Sequence, residues 1–174
     1  IEAGCDFLRK YQPTHFLRGN HDERLWDLLD EDDGKLAGYA KHLIEEIKDA
    51  LGDAQMFPYD KRRGVLKLGH LKCLHGYNAG ITAARIVGQV YGSCIFGHCH
   101  TIDQYSIAGL ERRVARCIGC LCLLDQDYNR AHIQTLRQAH GWAYGLLLPN
   151  GAYTVWQAEQ VSGKWHVPTD IVTL

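Results

Sequence analysis

Four of the ten histidines in this 174-residue chain sit in short motifs beside glycine. In Gly19-Asn20-His21-Asp22 the glycine permits a sharp turn. Asn20 offers a neutral oxygen ligand, and His21 can donate a proton or hold an anionic oxygen. Asp22 can orient the segment by accepting backbone donors. Taken alone, the tetrapeptide reads equally as an Asn-capped turn into a helix. Leu74-His75-Gly76 ends an apolar run, and a lone histidine there is also a common hydrogen-bonded structural residue. Phe96-Gly97-His98-Cys99-His100-Thr101 carries two imidazoles two residues apart. In extended chain such side chains point the same way, so both could reach one metal cluster, and Gly97 leaves room for metal and substrate.

Together the three segments offer a mixed nitrogen and oxygen donor set. Such a set suits Mn, Fe or Zn better than the oxygen-rich shells of Mg or Ca. Two such ions about 3.5–4 Å apart activate water and clamp phosphate oxygens for in-line attack. That chemistry needs histidines for affinity, an amide or carboxylate to complete each shell, and a proton donor for the leaving group. His15, His42, His70, His132, His140 and His166 are scattered and read as structural.

The positioning elements follow from periodicity. Residues 1–11 read as the end of a helix stopped at Gln12-Pro13, and residues 14–17 as a strand. A loop at 18–22, a helix near 23–29 and a solvated acidic loop at 30–34 come next. Residues 36–51 read as an amphipathic helix with Leu36, Tyr39, Leu43, Ile44 and Ile47 inward, ended by Gly52. Strands are expected at 64–68 and 70–74, joined at Gly69. A helix at 80–91, with Ile81, Ala84, Ile86, Val87 and Val90 inward, leads to a buried strand at 93–96. Further strands are expected at 104–107, 113–118 and 142–148. Asn150-Gly151 turns the last into 152–158, and Ser162-Gly163 turns again into 164–167. This order predicts mixed α/β layers. The polar loops at 18–22, 75–78 and 97–100 each follow an apolar strand, where ligands collect in such folds.

Composition narrows the class. The chain is 46% apolar and 22% charged, an ordinary globular balance of single-domain size. Lys+Arg is 19 and Asp+Glu is 20, a net charge of −1, so no global excess argues for nucleic acid or an anionic membrane. No run approaches the ~20 apolar residues of a membrane helix, and no signal-peptide pattern opens the chain. The start at Ile1, inside a helix, reads as a fragment or processed chain. Seven cysteines, an odd number and mostly in apolar runs, read as buried reduced thiols of a cytoplasmic protein. Cys117-x-x-Cys120-x-Cys122 raises a zinc site, but no second Cys/His pair stands at the usual spacing, and buried thiols are expected. Tyr128, Trp142, Tyr144 and Trp156 could stack on bases; beside expected strands they read as packing.

The ordered set Gly19-Asn20-His21-Asp22, His75-Gly76 and Gly97-His98-Cys99-His100 resembles the last three motifs of the calcineurin-like metallophosphoesterases. The stretch from Gly76 to His100 is similar to phage and bacterial uncharacterised members. So is the tail Gly119-Cys120-Leu121-Cys122-Leu123 with Tyr128-Asn129-Arg130 and Gly141-Trp142. The resemblance implies an α/β sandwich of β-sheets flanked by helices, and metal-dependent hydrolysis of a phosphomonoester or phosphodiester, nucleic acid included. It implies two divalent metal ions, Mn, Fe or Zn, with Asn20, His75 and His98 holding one and His100 the other. His21 would contact the phosphate and protonate the leaving oxygen. Arg18 or Asn78 would assist, though neither matches an assigned family position. The family's Asp-x-His and Gly-Asp-x-x-Asp motifs are absent, and Asp6 and His15 are not in those settings. The expectation is therefore a chain lacking its N-terminal strands, holding at most one metal weakly and catalysing little alone. The alternative is a non-catalytic binding module that retains the fold; keeping all five residues together favours the enzyme.

Overall fold

The computed structural model describes residues 1–124, 131 and 133–166. Tyr128, Asn129, Arg130 and His132, and Val167 at the end of the last expected strand, lie outside the described residues. The chain forms two compact units, Ile1–Val65 and Leu66–Leu174.

The first unit runs α1 (Glu2–Tyr11), β1 (His15–Leu17), α2 (Asn20–Asp27), a 3-10 turn (Leu28–Asp30), α3 (Gly34–Leu51) and β2 (Gln55–Phe57). β1 and β2 pair in parallel, His15 opposite Gln55 and Leu17 opposite Phe57. Parallel neighbours need a long crossover, which α2 and α3 supply. α1 stops where Gln12 turns left-handed and its N–H donates to Leu8 C=O; Pro13 cannot continue a helix. α3 starts at Asp33, whose carboxylate accepts from the amides of Lys35 and Leu36, so one residue of the acidic loop is a helix cap. Cys5 of α1 packs with Ile47, Ala50 and Leu51 of α3, flanked by Leu8, Phe16, Leu25, Trp26, Ala54 and Met56. The inward face of α3 differs from the expected one. Leu36 and Tyr39 are exposed, while Ala40, Ile44, Ile47, Ala50 and Leu51 are buried. Small alanines take places that a reading weighted to large apolar residues passes over.

The second unit holds β4 (Leu71–Leu74), α4 (Ala83–Tyr91), β5 (Cys94–Phe96), β6 (Ile102–Ile107), β7 (Arg113–Ile118), a 3-10 turn (Ile133–Arg137), β8 (Gly141–Leu147), β9 (Tyr153–Val161) and β10 (Lys164–His166); the boundary with the first unit falls inside β3 (Val65–Leu68). A five-stranded sheet has the order β3-β4-β5-β7-β6. β4, β5 and β7 are parallel, with Leu74 opposite Phe96 and Phe96 opposite Cys117, and β6 runs antiparallel at the edge. Their burial matches: Leu71, Cys73, Leu74, Cys94, Phe96, Val114, Ala115 and Cys117 are all buried, as in parallel strands covered on both faces. α4 packs on β6 and β7 through Ala83, Ala84, Val87 and Gly88. Ile81, Ile86 and Val90, expected inward, are exposed. The helix starts later than expected and seats its small face on the sheet.

β8, β9 and β10 form a separate antiparallel sheet. The β8–β9 turn lies at Asn150-Gly151, where Asn150 Oδ1 accepts from the Ala152 amide. Ser162 and Gly163, both at positive φ, make the two-residue turn that suits strand twist. Trp142, Tyr144, Trp156 and Trp165 form a chain of ring contacts: Tyr144 stacks on Trp156 and lies tilted against Trp142, and Trp142 meets Trp165 edge to face. The structure is thus mixed α/β with several sheets and helices. Among the described residues no helix is long and apolar enough to cross a membrane.

Candidate metal centre

The parallel order β4-β5-β7 aligns three carboxyl ends side by side, the place where ligands gather in open α/β sheets. His75 follows β4, Gly97 to His100 follow β5, and Gly119 to Cys122 follow β7.

The Gly97 amide donates to His75 C=O at 2.9 Å, carrying the β4–β5 pairing one residue past the strands. The rings of His75 and His98 then meet edge to face, centroids 5.3 Å apart. Gly76 makes this contact feasible. Its φ is +104°, and a Cβ there would stand 3.0 Å from His98 Cβ and 3.2 Å from the Phe96 ring. Two residues of the following loop are themselves left-handed, His98 at φ 64° and His100 at φ 58°. Such backbone costs a non-glycine residue about 1–2 kcal/mol and collects at functional sites. The sequence argument from extended chain therefore does not hold for this loop. His98 meets His75 edge to face, and His100 stands beside Cys122.

His100 Nδ1 lies 3.6 Å from Cys122 Sγ, and the ligand atoms of His100, Cys120 and Cys122 all lie within 4.8 Å of one another. These three half-buried side chains could hold a metal ion. Backbone hydrogen bonds tie their segments together. The Gly119 amide donates to Thr101 C=O at 3.0 Å and the Ala139 amide to His100 C=O at 2.8 Å. Cys120 N–H donates to Ala139 C=O at 3.1 Å, and Gly141 N–H to Cys120 C=O at 3.0 Å. Gly119, at φ 79°, has the Ala139 oxygen 2.7 Å from where a Cβ would stand, so the close approach needs glycine. Of the cysteine triplet, Cys117 is a buried thiol as expected, donating to Gly97 C=O. Cys120 and Cys122 differ from the expectation. Both are half-buried, and their imidazole partner comes from the β5 loop, 22 residues before Cys122. His140, read as structural, holds this loop: its Nε2 is 2.8 Å from Cys122 C=O and its Nδ1 3.0 Å from Gln160 Oε1.

The thiols here are not alike. Burial, then the hydrogen bond with Cys122, pushes Cys120 up to about 12. Cys99 and Cys117 share a hydrogen bond that holds Cys99 well above the ordinary thiol range and Cys117 below it.

Asn20 and His21 belong to the first unit. The helix begins three residues earlier than expected, with Gly19 as its cap and Asn20 as its first residue, so these side chains project from a helical turn and not from a loop. Asp22 acts as expected: its Oδ2 accepts the Gly19 amide at 2.7 Å. Asn20 is half-buried and His21 exposed. Arg18, at the end of β1, lies over the Trp26 ring at 4.4 Å and 3.3 Å from the Glu23 carboxylate. Among the described residues its Nη1 is buried with no hydrogen-bond partner, as is Asn78 Nδ2 in the second unit. Both are N–H donors of the kind an anionic oxygen satisfies.

No protein-family model, curated protein or solved structure matches this chain.

Proposed function

We propose that the chain carries the histidine-rich part of a calcineurin-like metallophosphoesterase, with the sheet sandwich that family implies, hydrolysing a phosphomonoester or phosphodiester. The observation that carries the reading is the His75–His98 pair, 5.3 Å between ring centroids, at the carboxyl ends of two adjacent parallel strands. By the resemblance, His75, His98 and the amide oxygen of Asn20 would hold one divalent ion and His100 the other. Two such ions, Mn, Fe or Zn, supply Lewis-acid activation of the ester when bound. By the resemblance, the His21 imidazole would donate the proton to the leaving oxygen. In the second unit, the buried Asn78 Nδ2–H is a donor of the kind a phosphate oxygen satisfies.

The test is hydrolysis of bis(p-nitrophenyl) phosphate with added Mn2+. It is run on this chain and on the chain extended by whatever its gene encodes upstream of Ile1. The extended chain turns over the diester, and H75A and H98A each reduce the rate to background. Turnover that survives loss of both imidazoles overturns the reading.

A second reading, a nucleic-acid-binding module, draws on a groove of about 1020 Å3 in the second unit. Lys67, Lys72, Arg112, Arg113 and Arg116 line it against one acid, Glu111. A chain of net charge −1 thus gathers cations where a phosphate backbone would lie. This reading predicts oligonucleotide binding without turnover.

A further inference from the structure

We infer that His100, Cys120 and Cys122 form a zinc site, binding the ion through one imidazole nitrogen and two thiolates. The assignment stands on these side chains alone and holds whether or not the chain is a phosphoesterase. Beyond that reading, it replaces the nitrogen and oxygen shell expected around His100 with a sulfur-rich one.

The distances decide between a chance cluster and a built site. A tetrahedral zinc with bonds of about 2.3 Å to sulfur and about 2.0–2.1 Å to nitrogen sets neighbouring S and N atoms about 3.6 Å apart, and two sulfurs about 3.8 Å apart. Cys122 Sγ and His100 Nδ1 already stand 3.6 Å apart. With all three ligand atoms within 4.8 Å, closure asks Cys120 to move by no more than about 1 Å from a tetrahedral edge.

The frame is also in place. Backbone hydrogen bonds join the His100–Thr101, Gly119–Cys120 and Ala139–Gly141 segments; they extend the antiparallel β6–β7 ladder by one residue and bridge it to the segment before β8. The His140 imidazole lies at hydrogen-bond distance from the Cys122 carbonyl, an outer contact of the kind that fixes a ligand's orientation. His100 is left-handed, which turns its ring toward Cys122.

The donors select the ion. Thiolate and imidazole favour Zn2+ over Mn2+ or Mg2+. Two S–H protons leave to solvent as two Zn–S bonds form. The +2 ion is then neutralised by two thiolates, with the imidazole neutral. The three protein ligands found among the described residues leave one tetrahedral position to be filled by a further donor, solvent or a substrate oxygen.

The test uses the whole chain, purified in reductant without chelator. Its metal content is measured by mass spectrometry, and the metal-free protein is titrated with Co2+. Expected are one zinc per chain and, with Co2+, a thiolate-to-metal charge-transfer band in the near ultraviolet with tetrahedral ligand-field bands. C120S and C122S each weaken binding by at least about tenfold and diminish the band. The H75A/H98A double variant keeps it. Co2+ bound by wild type without a sulfur charge-transfer band overturns the assignment, and that result needs no variant to fold. A band unchanged in the C120S/C122S chain, or lost in H75A/H98A while C120S/C122S keeps it, also overturns it. A sulfur band together with no diester hydrolysis by the extended chain sinks the phosphoesterase reading alone.

Discussion

Replacing Gly76 by alanine tests the link between the His75-Gly76 motif and the geometry of the site. The added methyl enters at φ +104°, 3.0 Å from His98 Cβ and 3.2 Å from the Phe96 ring. Left-handed backbone costs alanine about 1–2 kcal/mol, and overpacking adds about 1–3 kcal/mol. Phe96 is 1% exposed and sits mid-sheet between β4 and β7, so it cannot yield. His98 is half-buried at the start of a loop, and it gives way, drawing its ring off His75. Together the costs come to about 2–5 kcal/mol. With a urea slope of about 2 kcal/mol per molar, the unfolding midpoint drops by about 1–2.5 M. A shift near 1 Å at His98 costs about 100-fold in turnover. Gly97 is the control for stability, because a Cβ there meets His75 C=O at an ordinary 3.6 Å. Urea unfolding by circular dichroism is measured on G76A, G97A and wild type, and diester hydrolysis on G76A and wild type in the extended chain. G76A as stable as G97A and as active as wild type would refute the reasoning.

Asp33→Ala removes the carboxylate that accepts two amides at the start of α3 and costs about 1 kcal/mol; hydrogen exchange then rises at Lys35 and Leu36 and not at Ala50. Burial raises the Cys73 and Cys94 thiols from 9.0 to about 11 and about 12. The folded chain therefore keeps protons that the unfolded chain releases above pH 9. That contribution is complete below pH 9 and is lost as pH rises toward 11–12. The urea midpoint should fall over that window, less steeply in C73A, and a flat profile would count against it. If the cationic groove holds single-stranded nucleic acid, R112A and R113A each lower the slope of log affinity against log salt by about 0.7; fluorescence anisotropy that finds no binding removes the second reading.

What the sequence disclosed was local. Asn150-Gly151 and Ser162-Gly163 announce their hairpins because a turn's chemistry lies within two residues. Residues 113–118 read as a strand although Arg113 and Arg116 interrupt the apolar Val114, Ala115, Cys117 and Ile118. The helix faces were harder, since α3 and α4 bury alanine and glycine where large apolar residues set the expected stripe. His75 and His98 were found by type, but their meeting depends on β4 and β5 being neighbours. Cys120 and Cys122 were set aside for want of a partner at zinc spacing. That partner, His100, lies in the β5–β6 loop and is brought back beside Cys120 and Cys122 because β6 and β7 pair antiparallel, with Ile102 opposite Ile118. Spacing rules do not reach across such a pairing.

The Gly97–His100 loop leaves the middle of three parallel strands, with β4 on one side and β7 on the other. A loop so placed can send one histidine to each neighbour, and two left-handed residues two apart are how this chain does it. That backbone is strained for histidine and relaxed for glycine, which separates its stability cost from its chemistry. At φ 64°, H98G should be more stable than H98A by about 1 kcal/mol, the left-handed cost of alanine set against glycine's greater entropy on unfolding. Both variants lack the imidazole, so both lose the His75 partner equally, and the difference reports backbone alone. If chemical denaturation finds H98A the more stable, the left-handed turn is wrong, and with it the account of how one loop serves two neighbouring strands.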